Sequence, residues 1–327
     1  MSKCWNALIA LRAPTGICLA AFTLAFLPGC HSLKLNSNSP TSDKTETKAD
    51  GSPAAPSKFS FRVAPYVFMS DFEVPHDQPL FQELAGMRDQ IYKELQLPPG
   101  NAVVQVYLFE DHARYQLFMQ SRYPELPERR AFFVAQPRAI GGAEDLLVYT
   151  FWGERIQQDL RHELTHALLH SVIRDVPLWL DEGLAEYFEL PPDRKGLNPA
   201  HLASLRRGPL GPYKPDLTRL EGLTEVKQMT PTEYRESWAW VHLMLRDKPE
   251  AKVVLTNYLR QLRLNATPGP LEPKLAAVFP ALDEAFDKHL AQFEASGRAD
   301  ADGRWWLERG RGCVSICPIV PYVLLVL

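Results

Sequence analysis

The sequence predicts an α+β fold in which a small mixed sheet packs against a helical half. Three observations predict it. Strand-like runs crowd the stretch from Phe59 to Trp152, helical spacing takes over from Ile156 onward, and no internal repeat is visible. About 240 residues remain once the two compositionally distinct ends are set aside, enough for one large domain or two closely packed lobes.

Phe59 to Phe68 carries Phe, Val and Tyr in partial alternation and reads as a strand. Leu84, Met87, Ile91 and Leu95 recur at helical spacing within Leu80 to Leu95, and Pro98-Pro99-Gly100 ends that helix. Val103 to Phe109 is β-branched and aromatic, a second strand. His112 to Tyr123 returns to helix, and Ala131 to Ala135 and Leu146 to Trp152 give two more strands. One helix should then run from Ile156 through His170 and a second from Leu178 to about Leu190. A third is expected over Pro231 to Arg246, with Thr230 as cap and Glu233 completing a capping box. Further helices fall near Ala251 to Leu262 and Leu282 to Phe293. The 28 prolines cluster in connections such as Pro191-Pro192 and Pro268 to Pro273.

The ends differ from this middle. Residues 1–29 read as a signal peptide: Lys3 and Arg12 supply positive charge, Ile17 to Leu27 an apolar run too short to span a bilayer comfortably. Leu27-Pro28-Gly29-Cys30 resembles a bacterial lipobox, which would make Cys30 the lipidated first residue of the mature chain. The alternative is an uncleaved anchor helix with the same topology. Residues 30–58 lack aromatic side chains and read as a disordered tether. Residues 301–327 form a tail with an apolar end, and docking on the domain, association with a membrane and a sequence artefact stay open for it. The expected place of the domain is therefore outside the cytoplasm, held by an N-terminal lipid to the cell membrane or outer membrane.

Composition narrows the chemistry. With 36 basic against 39 acidic residues and no basic stripe interleaved with aromatics, nucleic acid is not an expected partner. The five cysteines, Cys4, Cys18, Cys30, Cys313 and Cys317, all lie outside the folded middle, so neither a disulfide framework nor a cysteine metal cluster holds the core.

The informative segment is Arg161-His162-Glu163-Leu164-Thr165-His166. Residues four apart share a helix face, so His162 and His166 project toward one point and supply half of a tetrahedral zinc site. Glu163, beside the first histidine, can take a proton from an attacking water. Ile156, Leu160, Leu164, Ala167 and Leu168 form an apolar stripe that buries the helix. A third ligand is expected within Pro177 to Phe188, where Glu182 and Glu186 are four apart and flanked by apolar residues. Paired carboxylates in such surroundings need a positive partner, which a metal ion supplies. Gly183 and Ala185 are small enough for that helix to pack close to the first. His170 lies about 12 Å along the axis from His162, too far to share one ion, and His112, His201, His242 and His289 lack ligand spacing.

His-Glu-Leu-Thr-His followed by Trp-Leu-Asp-Glu-Gly-Leu-Ala-Glu-Tyr-Phe resembles the peptidase MA-like gluzincins, zinc metallopeptidases related to the thermolysin and aminopeptidase N families. The resemblance covers about 28 residues, Arg161 to Phe188. It implies a zincin-like domain with one zinc ion on His162, His166 and Glu182, and Glu163 as the base. It places Glu186 beside a ligand histidine as support, and implies a peptide or protein substrate. Spacing alone would favour Glu186 as ligand, nearer to the thermolysin-like distance. Tyr234-Arg235-Glu236-Ser237 resembles the helix that carries the oxyanion-stabilising tyrosine of the aminopeptidase group, which makes Tyr234 a candidate; Glu236-Ser237 stands where those enzymes have Lys-Gly.

On this reading residues 59–153 hold the sheet and 154–300 the zinc-binding helices. Leu146 to Trp152 is expected to be an edge strand that pairs with substrate. Gly141-Gly142-Ala143-Glu144-Asp145 is similar to the amine-binding segment of aminopeptidases, but a turn explains it as well, so endopeptidase is the expected mode. Two alternatives remain: a zinc-binding lipoprotein without turnover, and a hydrolase of cell-wall amides.

Overall fold

A computed structural model describes residues 53–137, 144–206, 213–264 and 267–295. The expected signal peptide, Cys30, most of the tether, Gly141 to Ala143 and the apolar tail lie outside them. The chain is mixed α/β and divides into two compact units, Met1–Tyr92 with Pro98–Val172 and Lys93–Leu97 with Ile173–Leu327.

The first unit is built on a five-stranded mixed sheet. Its strands are β1 (Phe59–Val63), β2 (Tyr66–Ser70), β3 (Val104–Phe109), β4 (Ala131–Pro137) and β5 (Glu144–Phe151), in the order β1-β2-β3-β5-β4. The single strand expected over Phe59 to Phe68 is a hairpin instead, because Pro65 cannot donate to a ladder and the chain turns at Ala64-Pro65. β2, β3 and β5 run parallel, with Val106 opposite both Phe68 and Val148. β4 pairs antiparallel with β5, Phe133 opposite Val148.

This order corrects the expectation for Leu146 to Trp152. β5 is an inner strand with a partner on each side, and β4 is the edge. Its burial says the same, since Leu146, Leu147, Val148, Tyr149, Thr150 and Phe151 are all buried, the mark of a strand covered on both faces.

Helices α1 (Pro79–Leu95) and α2 (His112–Arg122) follow β2 and β3, and α3 (Ile156–His170) follows β5. Asp111 caps α2 by accepting from the Arg114 N–H. α2 covers an aromatic cluster of Phe109, Tyr115, Phe118, Phe132, Tyr149 and Phe151. α3 packs on β4 and β5 and so belongs with the sheet, although its sequence groups it with the helices that follow.

The second unit is helical: α4 (Leu178–Phe188), α5 (Pro199–Arg206), α6 (Leu217–Glu221), α7 (Pro231–Arg246), α8 (Pro249–Arg263), α9 (Glu272–Ala276) and α10 (Leu282–Ala295). α7 is its hub, with α4, α5, α6, α8 and α10 packed around it. The Thr230–Glu233 capping box forms as expected, and Trp238, Ala239, Trp240, Val241, Leu243 and Met244 are fully enclosed. α5, α6 and α9 are additions to the expected helices. Among the described residues no helix is long and apolar enough to cross a membrane.

Candidate metal centre

His162, Glu163 and His166 all lie on α3. The apolar residues that predict this helix, Ile156, Leu160, Leu164, Ala167 and Leu168, are buried, and so are Glu163 and His166; His162 is half-buried. The two imidazole rings stand 5.1 Å apart between centroids, one helical turn from each other. Phe133 of the edge strand stacks along this row, 6.3 Å from the His166 ring and 5.4 Å from His170. The helix is anchored at its C-terminal end, where Ser171 Oγ and Tyr92 Oη both donate to the Leu168 carbonyl.

One turn before Glu163, Asp159 Oδ2 accepts from Arg130 Nε at 3.0 Å and lies 3.0 Å from its Nη2, and the Arg130 guanidinium lies over the Phe151 ring. The first acid of this helix face is therefore neutralised within its own unit. Tyr115 of α2 lies within the field of the second: burial first, and the charge of Glu163 next, push its hydroxyl pKa up.

Glu182 and Glu186 lie on α4, one turn apart as their spacing predicts. Glu182 is buried, and Tyr234 Oη of α7 donates to its Oε1 across 3.4 Å. Tyr234 thus stands beside the carboxylate expected to be the third ligand. Glu186 meets a partner the sequence did not suggest: His201 Nε2 lies 2.7 Å from its Oε2. His201 belongs to α5, which starts where Asn198 Oδ1 accepts from the Ala200 and His201 N–H groups. The Asn198-Pro199 pair is the sequence signal for that helix.

Gly183 faces α7 within its own unit. A Cβ built on it would lie 2.6 Å from the Ser237 carbonyl oxygen. The glycine therefore sets the approach of the helix carrying Glu182 to the helix carrying Tyr234. Gly196 has a comparable duty after α4: at φ +73° its Cα faces the Tyr187 ring, where a Cβ would come within 2.1 Å of the ring carbons. Its carbonyl accepts from Trp238 Nε1 at 2.7 Å.

No family model matches the chain, and comparison with curated proteins finds no match. The chemistry of the donors is what bears on a metal. Two imidazoles and a carboxylate, with His166 and Glu182 buried, are the nitrogen and oxygen ligands that zinc takes.

Proposed function

We propose that this chain is a zinc metallopeptidase of the gluzincin type with a zincin-like fold, exported and tethered to a membrane by lipid on Cys30. The observation that carries the reading is the pair of imidazoles one turn apart on α3 with Glu163 buried beside them. His162, His166 and Glu182 would hold one zinc ion, imidazole nitrogens and a carboxylate oxygen being its usual ligands. Zinc, when bound, supplies a Lewis acid that lowers the pKa of water and polarises a carbonyl.

The chain's own residues supply the rest. Glu163 takes one proton from the attacking water as its oxygen bonds to the scissile carbonyl carbon. It returns that proton to the amide nitrogen as the C–N bond breaks, so protons and charge balance over the cycle. Tyr234 donates its hydroxyl to the oxygen that becomes negative. Among the described residues the outer side of β4 pairs with no strand. An extended peptide would add there, which favours internal cleavage over removal of terminal residues.

The test is cleavage of a mixed peptide library by the full chain, with chelator and after zinc is restored. Internal cuts that stop with chelator and return with zinc are expected. A zinc-loaded protein that cuts nothing would leave a binding lipoprotein; one that cuts only cell-wall fragments would make it an amide hydrolase of the wall.

A further inference from the structure

The row of acids on α4 is matched by a row of donors within the same unit. Glu182 accepts from Tyr234, and Glu186 is met by His201. The match has a cause. Tyr234 and Trp238 are one turn apart on α7, as Glu182 and Glu186 are on α4, and Trp238 backs His201, ring centroids 5.4 Å apart. Trp238 is itself pinned by its indole bond to the Gly196 carbonyl. The His201 ring is thus held from behind by a buried tryptophan and from its backbone by the Asn198 cap. The pair is set at a cost in hydration, because an imidazole 2.7 Å from a carboxylate at 18% and 13% side-chain exposure loses much of its water.

We infer that His201 is a positioning residue for the metal centre: it fixes Glu186 so that this carboxylate can orient a ligand imidazole. The inference rests on the zinc reading above. An ionised carboxylate only accepts, so the shared hydrogen belongs to His201 Nε2 and occupies Glu186 Oε2. The other carboxylate oxygen is then turned to a fixed direction. A carboxylate that accepts a ligand histidine's second N–H sets ring orientation and tautomer and raises the ligand's basicity. Without His201 the Glu186 side chain regains its rotamers, and the ligand it serves loses that constraint.

The experiment is zinc competition against a chelating dye, using the full chain and its variants His201→Ala, His201→Gln, Glu186→Ala and the double His201→Ala/Glu186→Ala. His201→Ala should weaken zinc binding roughly ten-fold, within the range for loss of such an outer partner. His201→Gln, whose amide N–H reaches about as far as Nε2–H, should recover most of it. The double variant should bind zinc no more weakly than Glu186→Ala, since the histidine acts only through the glutamate. Thermal unfolding of the metal-free proteins guards against a merely structural effect, and their midpoints should not track the zinc affinities. Unchanged zinc affinity in His201→Ala, or independent losses that add in the double variant, overturns the inference while leaving the zinc reading intact. A wild-type chain that takes up no zinc overturns both.

Discussion

Gly183 and the Ser237 carbonyl are so close that a single added carbon on the glycine would sit 2.6 Å from that oxygen. The contact joins the helix of Glu182 to the helix of Tyr234, so it sets the 3.4 Å reach between those two side chains. Backbone on both sides leaves nothing flexible to yield. Gly183→Ala should therefore destabilise the protein by about 1–3 kcal/mol, as overpacking does, despite alanine's better helix propensity. Chemical denaturation checks the sign; an equal or higher midpoint would show that α4 and α7 can part without strain.

Glu236 is a carboxylate in the interior of the second unit, and its surroundings explain it. It is fully buried, yet accepts from the Asp216 N–H at 2.6 Å, Arg219 Nη2 at 2.7 Å, Trp240 Nε1 at 3.2 Å and the Tyr213 hydroxyl. It fastens the start of α6 to α7. Glu236→Ala should cost about 1–3 kcal/mol by leaving buried donors unpaired. The ion pair itself adds little, because Arg219 is 38% exposed. Zinc content should not change, which separates this variant from those at the metal centre.

Regular elements were legible in the sequence where one signal dominated. The α3 stripe and the Thr230–Glu233 box specify their helices to the residue. Leu146 to Trp152 is a strand as its composition says, but nothing in a strand's own residues tells which neighbours flank it, and the edge fell to Ala131–Pro137. The short α9 escaped because Pro268 to Pro273 reads as loop, although Pro273 stands in a first turn, where the missing N–H costs nothing. His201 could not be found from spacing, because its pairing with Glu186 depends on the path of α5 and on Trp238 behind it. Gly183 was legible as a close approach, but not as an approach to α7.

The second unit should lose stability in acid through a buried histidine pair. His289 Nδ1 lies 3.1 Å from Asp247 Oδ2, and its Nε2 lies 2.8 Å from His242 Nδ1. Burial, then the neighbouring His289 and Arg246, push His242 down to about 3, and burial also lowers His289. Unfolded histidine titrates near 6.5, so between those values the unfolded chain binds the extra proton. The contribution is complete above about pH 6.5 and is lost as pH falls toward 3. Urea midpoints at pH 7, 5.5 and 4.5 should decline, and His242→Gln should flatten the decline; parallel slopes would remove His242 as its cause.

Glu182 and Glu186 compete for the role of third ligand in the proposed zinc site, because they stand one turn apart on α4. The partners on α4 favour Glu182. Glu186 already gives one oxygen to His201 at 2.7 Å, whereas the Tyr234 bond to Glu182 is long at 3.4 Å and yields easily to a metal. Glu182→Ala should nearly abolish zinc retention, and Glu186→Ala should weaken it roughly ten- to a hundred-fold. Elemental analysis after dialysis against chelator distinguishes them, and the opposite order would exchange their roles.

Glu163 is buried and directly follows His162 on α3, so in the proposed zinc site its carboxylate would stand beside the metal. Asp159, the other acid on this face, is ion-paired with Arg130 through its Oδ2. In the proposed reaction the base is therefore Glu163 rather than its neighbour one turn back. Glu163→Gln keeps the shape and the hydrogen-bonding oxygen but cannot accept the proton, so fold and zinc content should match wild type. Turnover of a library-derived peptide should fall by about 10²–10⁴-fold, with most of the loss in kcat and little in KM. Zinc measured in the same preparation decides how the result is read. A zinc-loaded Glu163→Gln protein with near-normal turnover would place the base elsewhere, and a variant that had lost its zinc would make Glu163 a ligand.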